Sequence, residues 1–162
     1  MPVRAAEPVR RAEPADLSAL LPLIEALARH HGDQPHLTAA SLFRDLFTEP
    51  RWLHGFVAQT QGTIIGYASL LPLARLHLGQ RGMDLHHLFV AEPARGGGVG
   101  TQLVQAAQTY AKGLGCSYLT VGTQSGNRAA QDFYQRRGFF ASPPAPDRFA
   151  FDLSVWTPSN AR

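Results

Sequence analysis

Arg95-Gly96-Gly97-Gly98-Val99-Gly100-Thr101 is the stretch on which the reading of this chain turns. It follows Met83 to Val90, a run of strand character closed by Glu92-Pro93. It opens Gly98 to Leu114, where Val99, Leu103, Val104, Ala107 and Tyr110 recur at helical spacing. Four glycines in the five positions from Gly96 to Gly100 would be costly inside a helix. At a strand-to-helix junction they let the backbone approach a ligand closely. The first N–H groups of a helix have no internal acceptor and sit at the positive end of its dipole. Gly98, Val99, Gly100 and Thr101 therefore offer donors to a phosphate, and Arg95 adds a charge that pairs with it. Other phosphate loops fail on spacing. A GxGxxG fingerprint would need glycine at Thr101 or Leu103, and a P-loop needs Gly-Lys-Ser/Thr, whereas the single lysine is Lys112.

Upstream of this junction, Phe56 to Gln59 and Thr63 to Leu71 read as two strands around a Gln61-Gly62 turn. Before them lie two helices. The first runs from Leu17 to about His31 behind Asp16 as N-cap, and the second is capped by Thr38, carries Leu42, Phe43, Leu46 and Phe47, and stops before Pro50. Downstream, Ser117 to Val121 reads as a short buried strand. Asn127 to Arg137 is an amphipathic helix with Ala130, Phe133 and Tyr134 inward, and Phe139–Phe140 and Phe149 to Val155 read as closing strands around a loop at Pro143, Pro144 and Pro146. Strands that first pair as a hairpin and later alternate with helices predict an α/β (α+β) domain with a mixed sheet covered on both faces. The expected organisation is an N-terminal tail over 1–8, one domain over 9–157 and a C-terminal tail over 158–162.

Composition bounds the rest. At 162 residues, 44% hydrophobic and 17% charged, the chain is sized for one packed domain and is neither disordered nor a coiled coil. Cys116 is the single cysteine, so intramolecular disulfides and CxxC metal sites are excluded, and no metal is expected. The net charge of +3 is carried by arginines spread along the chain rather than by a basic stripe with interleaved aromatics. A small polyanionic ligand suits that pattern better than nucleic acid. Apolar runs such as Ile64–Ile65 are far shorter than the ~20 residues of a membrane span. No signal peptide is read at the start, so a soluble cytoplasmic protein without a membrane partner is expected.

Arg95-x-x-Gly98-x-Gly100 resembles the acyl-CoA signature of the GNAT superfamily of N-acetyltransferases, and Asn127-Arg-Ala-Ala-Gln-Asp-Phe-Tyr134-Gln-Arg-Arg-Gly-Phe139 resembles a second motif of that superfamily. Both occur in order, with a strand between them, and the resemblance covers about residues 9 to 155. Leu20 to His31, Leu42 to Phe47 and Phe133 to Gly138 are most similar to the diamine (spermidine/spermine) N-acetyltransferase-like branch. The resemblance implies a three-layer sandwich with a mixed, mostly antiparallel sheet of six to seven strands and helices on both faces. It implies acetyl-CoA as co-substrate, lying where two neighbouring strands part. Its pantetheine arm would pair with Leu88, Phe89 and Val90, its pyrophosphate would lie on Gly96, Gly97, Gly98, Val99, Gly100 and Thr101, and Asn127 and Ala130 would hold it from the next helix. Tyr134 matches the proton donor to the departing CoA thiolate. A homodimer is implied as well.

The sequence departs from the diamine branch on one strand, where that branch carries Glu-Asp and this chain reads His86-His87. Strand alternation places Asp84, His86, Leu88 and Val90 on one face and Leu85, His87 and Phe89 on the other. His86 thus takes the position of the carboxylate base, Asp84 is the reserve, and His87 is structural. Histidine is competent as a base near neutrality. Loss of the acidic pair weakens a polyamine reading, because several positive charges need several carboxylates. The expected acceptor is a small primary amine such as an amino acid or a monoamine. The rivals are a catalytically silent acyl-CoA sensor and a protein-lysine acetyltransferase.

Overall fold

The computed structural model describes residues 7–142 and 148–155, and the chain divides into two compact units, Met1–Ser125 and Gly126–Arg162. The first unit is built on a five-stranded sheet in the order β1-β2-β3-β4-β5. Its strands are β1 (Arg10–Arg11), β2 (His54–Thr60), β3 (Thr63–Arg75), β4 (Gln80–Val90) and β5 (Tyr118–Val121). β1 to β4 are antiparallel neighbours, and β5 joins β4 in parallel through a helical crossover. The β2–β3 turn falls at Gln61-Gly62, as the sequence predicts, with positive φ at both residues (51° and 74°). β3 and β4 run on beyond the predicted ends as a long hairpin, and the two-residue β1 was too short to show a pattern.

Helices cover both faces. Leu20 and Leu27 of α1 (Leu17–His30) and Leu42 and Leu46 of α2 (Ala39–Phe47) form a buried cluster with Val57 and Tyr67, against which Phe89 packs. Gly66, one residue before Tyr67 and so on the opposite face, meets Val99 and Leu103 of α3 (Val99–Gly113). Leu70, Leu85, Leu103 and Val104 are almost wholly buried. Thr38 caps α2 as expected: its Oγ1 accepts from Ser41 N–H at 3.1 Å and its N–H donates to Ser41 Oγ at 2.9 Å. Asp16 stands at the N-cap position of α1 as expected, but its side chain makes no cap bond to that helix, because Pro14 starts a short 3-10 turn ahead of it. Its carboxylate instead accepts from Arg10 at 2.8 and 2.9 Å and from Glu13 N–H at 2.8 Å.

The second unit contains α4 (Arg128–Gln135). Asn127 caps it, its Oδ1 accepting from Ala130 N–H at 3.0 Å, and Gly138, at φ 87°, closes its end. The strands expected at Phe139–Phe140 and Phe149–Val155 are not present there, so the described sheet has five strands rather than six or seven. A strand exists only against a partner ladder. Among the described residues these segments have none, and Phe140, Phe149 and Phe151 are exposed. The proline-rich loop at Pro143, Pro144 and Pro146 lies outside the described residues, as do most of the two tails.

Candidate active site

The β3–β4 ladder carries the feature that shapes the site. Ser69 pairs with His87 and Leu70 pairs with Leu85, so His86 is an extra residue with no partner on β3. This β-bulge breaks the alternation assumed from the sequence. His86 and His87 do not lie on opposite faces. Their rings stack at 4.3 Å with an interplanar angle of 11°, and both line a cleft on the α1–α2 side of the sheet. Leu88 and Val90 pair with Ala68 and Gly66 and therefore belong to the α3 side, away from His86. Asp84 keeps the face of His86, because it pairs with Leu71 beyond the bulge, and His87 keeps that of Phe89, but Leu85 is parted from both.

The cleft opens to solvent and has a cavity volume of about 160 Å³. Its floor is Tyr67, Ser69 and the two histidines, and its walls are apolar residues of α1 and α2, Leu42 among them, with Asp45 at the polar edge. Both oxygens of Asp45 already accept from Arg44, at 2.7 Å from Nε and 3.1 Å from Nη2. Ser69 is buried, and its Oγ has no hydrogen-bond partner among the described residues. Asp84 is not part of the cleft lining, and its Oδ1 accepts from the Thr120 hydroxyl at 2.7 Å.

Burial sets the protonation states of the floor. It pushes His87 down to about 4, helped by the neighbouring His86 and His31, and it pushes the Tyr67 phenol above its usual range. At neutral pH a protonated phenol thus faces an unprotonated imidazole across 3.1 Å. The Tyr67 hydroxyl and His87 Nδ1 share one hydrogen bond there. His86 is exposed at the outer side of the stack. His87, set aside from sequence as structural, belongs to the cleft. Tyr67 and Ser69 were not singled out, although their period-two spacing on β3 was the available signal.

The glycine run forms the expected junction. Gly96 and Gly98 have φ of 79° and 85°, a region that favours glycine, and Gly98 is the N-cap of α3. The first helical bond runs from Gln102 N–H to Gly98 C=O, so Val99 and Gly100 begin the helix without helical acceptors. Arg95 turns back onto the strand end, donating from Nε to Val90 C=O at 2.9 Å with its guanidinium over the Phe89 ring. β4 and β5 pair only over Gly82–Leu85 and Tyr118–Val121. Beyond Leu85, β4 continues to Val90 with β3 on one side and no described strand on the other. A glycine turn, a helix N-terminus and an open stretch of strand backbone fit an extended ligand that ends in phosphates.

In the second unit, Tyr134 stands on α4 with its ring edge-on to Phe133 and Phe139, at 5.1 and 5.4 Å. Burial pushes its phenol up to about 12 against the opposing pull of Arg137, so it holds its proton at neutral pH. Asn127 and Ala130 are bonded to each other as the cap of the same helix. Among the described residues no group of three or more His, Cys, Asp or Glu side chains is placed to hold a metal ion, and no helix is long and apolar enough to cross a membrane.

The sequence pattern of the Acetyltransferase (GNAT) family matches residues 19–139. The chain is 30% identical to the uncharacterized N-acetyltransferase YhfO of Bacillus subtilis over 81% of its own length and 88% of that protein. It is 28% identical to the thialysine N-epsilon-acetyltransferase of Bos taurus, over 80% of this chain and 82% of that one. Among solved structures, a putative acetyltransferase from Agrobacterium tumefaciens superposes with a TM-score of 0.74 at 25% identity, over 89% of this chain and all of that one.

Proposed function

Because the chain belongs to the GNAT acetyltransferase family and is an N-acetyltransferase, we propose that it moves the acetyl group of acetyl-CoA directly to the primary amine of a small molecule. The family uses acetyl-CoA. The observation that carries the small-molecule reading is the cleft of about 160 Å³ on the α1–α2 face, whose floor is the bulge at His86 and His87. A small cleft lined mostly by apolar side chains with a few polar groups suits a compact ligand better than a protein segment.

Bound acetyl-CoA supplies an activated acetyl thioester. Val99 and Gly100 N–H, with Gly96, Gly97, Gly98 and Thr101 around them, would hold its pyrophosphate, and Arg95 would add positive charge there. Leu88, Phe89 and Val90 would offer backbone to its pantetheine arm, and Asn127 and Ala130 would hold it from α4. His86 is the base: it takes the proton of the acceptor nitrogen, directly or through water. An ordinary alkylamine near pKa 10.4 costs about 4.6 kcal/mol to deprotonate at pH 7, and a positioned base recovers part of that. His86 is favoured over Asp84, whose carboxylate bonds Thr120 and is not part of the cleft lining. Tyr134 holds its proton at neutral pH, as a donor to the departing sulfur must.

The diamine-like branch remains our reading of descent, in keeping with the likeness to the thialysine enzyme. A cytoplasmic homodimer completes the proposal, and Leu76 and Leu78, exposed at the tip of the β3–β4 hairpin, suit an apolar contact. Steady-state kinetics of CoA release across amines, with His86→Ala beside the parent protein, test the reading. His86→Ala should lower kcat about a hundredfold. An unchanged kcat would assign the base elsewhere.

A further inference from the structure

The chemistry of the cleft narrows the acceptor beyond a small amine, on the reading that this cleft is the acceptor side of the transferase. We propose that it selects monoamines with a compact apolar body and no carboxylate, and that the Ser69 hydroxyl is the buried polar anchor of their nitrogen. Four features of the cleft carry this.

No arginine or lysine lines it. A substrate carboxylate would therefore enter an apolar wall without a cationic partner, and an unpaired buried charge is strongly disfavoured. Its single carboxylate, Asp45, has both oxygens taken by Arg44, which leaves no free acid to hold a second ammonium of a polyamine. The remaining wall is largely aliphatic, with Leu20, Ile24 and Leu42 facing the histidine floor, and suits an alkyl or aryl body. Of the cleft lining, Ser69 Oγ is the buried polar atom with no hydrogen-bond partner among the described residues. A buried hydroxyl without a partner is a standing cost, and this one lies opposite His87 on the floor, where an amine N–H would satisfy it.

The test compares matched pairs, isoamylamine with leucine and phenethylamine with phenylalanine, and adds spermidine. Two readouts are taken: kcat/KM with acetyl-CoA, and calorimetric binding of each amine to protein saturated with CoA. The expected result is a preference for each monoamine over its carboxylated partner, and over spermidine, on the order of a hundredfold. Ser69→Ala should raise the KM for the amine about tenfold, leave kcat within about a factor of two, and leave the KM for acetyl-CoA unchanged. If leucine, phenylalanine or spermidine is used as well as the monoamines, the cleft proposal is overturned while the transferase reading stands. If acetyl-CoA is bound but no amine is acetylated with release of CoA, the transferase reading falls, and the calorimetric ranking still decides what the cleft accepts. An unchanged amine KM in folded Ser69→Ala removes Ser69 from the role. The parent-protein ratios decide the substrate class even if that variant fails to fold.

Discussion

His86 and His87 are neighbours in sequence with opposite surroundings. One ring is exposed at the cleft, and the other is wedged beneath it, bonded to Tyr67 and held at about 4 by burial. The sign of the consequence follows from linkage. An unfolded His87 takes up a proton as pH falls through 6.5, whereas the folded one does not until about 4. Stability is lost across that window, and His54, lowered by burial beside Arg11, adds the same sign. Thermal melting points from pH 7 to pH 4 should therefore fall, and fall less steeply in His87→Gln. An equal slope in the variant would contradict the buried neutral imidazole. Tyr134 offers a second prediction. Tyr134→Phe should lower kcat by about two orders of magnitude while the Kd for acetyl-CoA stays within about twofold. Because the phenol is pushed up to about 12, kcat of the parent protein should show no alkaline fall from this group below about pH 11.

At the scale of elements, the strand-to-helix junction was legible because glycine has few other reasons to recur so densely, and the structure puts Gly96 and Gly98 at positive φ. Gly98→Ala forces a side chain into that region, and urea unfolding should show a loss of about 1 kcal/mol, with weaker acetyl-CoA binding. Gly82 answers to a different constraint. A Cβ there would run into the Tyr118 ring, which lies across the β4–β5 pair with Arg75 stacked on it at 4.1 Å. Gly82→Val should therefore destabilise more than Gly98→Ala. The bulge at His86 was not legible. Alternation counted from Met83 is blind to one extra residue, and that residue moves every later side chain of β4 to the other face. Asp16 stands at the expected N-cap position of α1, yet its carboxylate is engaged by Arg10 and by the turn that Pro14 starts, which spacing alone does not show.

For the whole molecule, the layers followed from periodicity. Apolar residues two apart on β2 and β3, and three or four apart on α1 and α3, leave one way to bury both sets, with the sheet between them. Leu103, wholly buried in α3, should cost 2–5 kcal/mol when cut to alanine, read as a shift in the urea midpoint at constant m. The closing strands were over-read because alternation at Phe149, Phe151, Leu153 and Val155 shows that a segment suits a sheet, not that a partner edge is offered to it. The site was legible as far as its motifs reached. The cleft was not, since it is assembled from α1, α2, β3 and β4 by packing rather than by any local pattern. Incubating the protein with acetyl-CoA and an amine panel, and weighing the products by mass spectrometry, tests direct acetyl transfer to a small amine. One amine class should be converted to its N-acetyl derivative mole for mole with CoA released, and conversion should be cut about a hundredfold in Tyr134→Phe. Acetyl-CoA bound by the protein, with no amine acetylated above a protein-free blank, would contradict it.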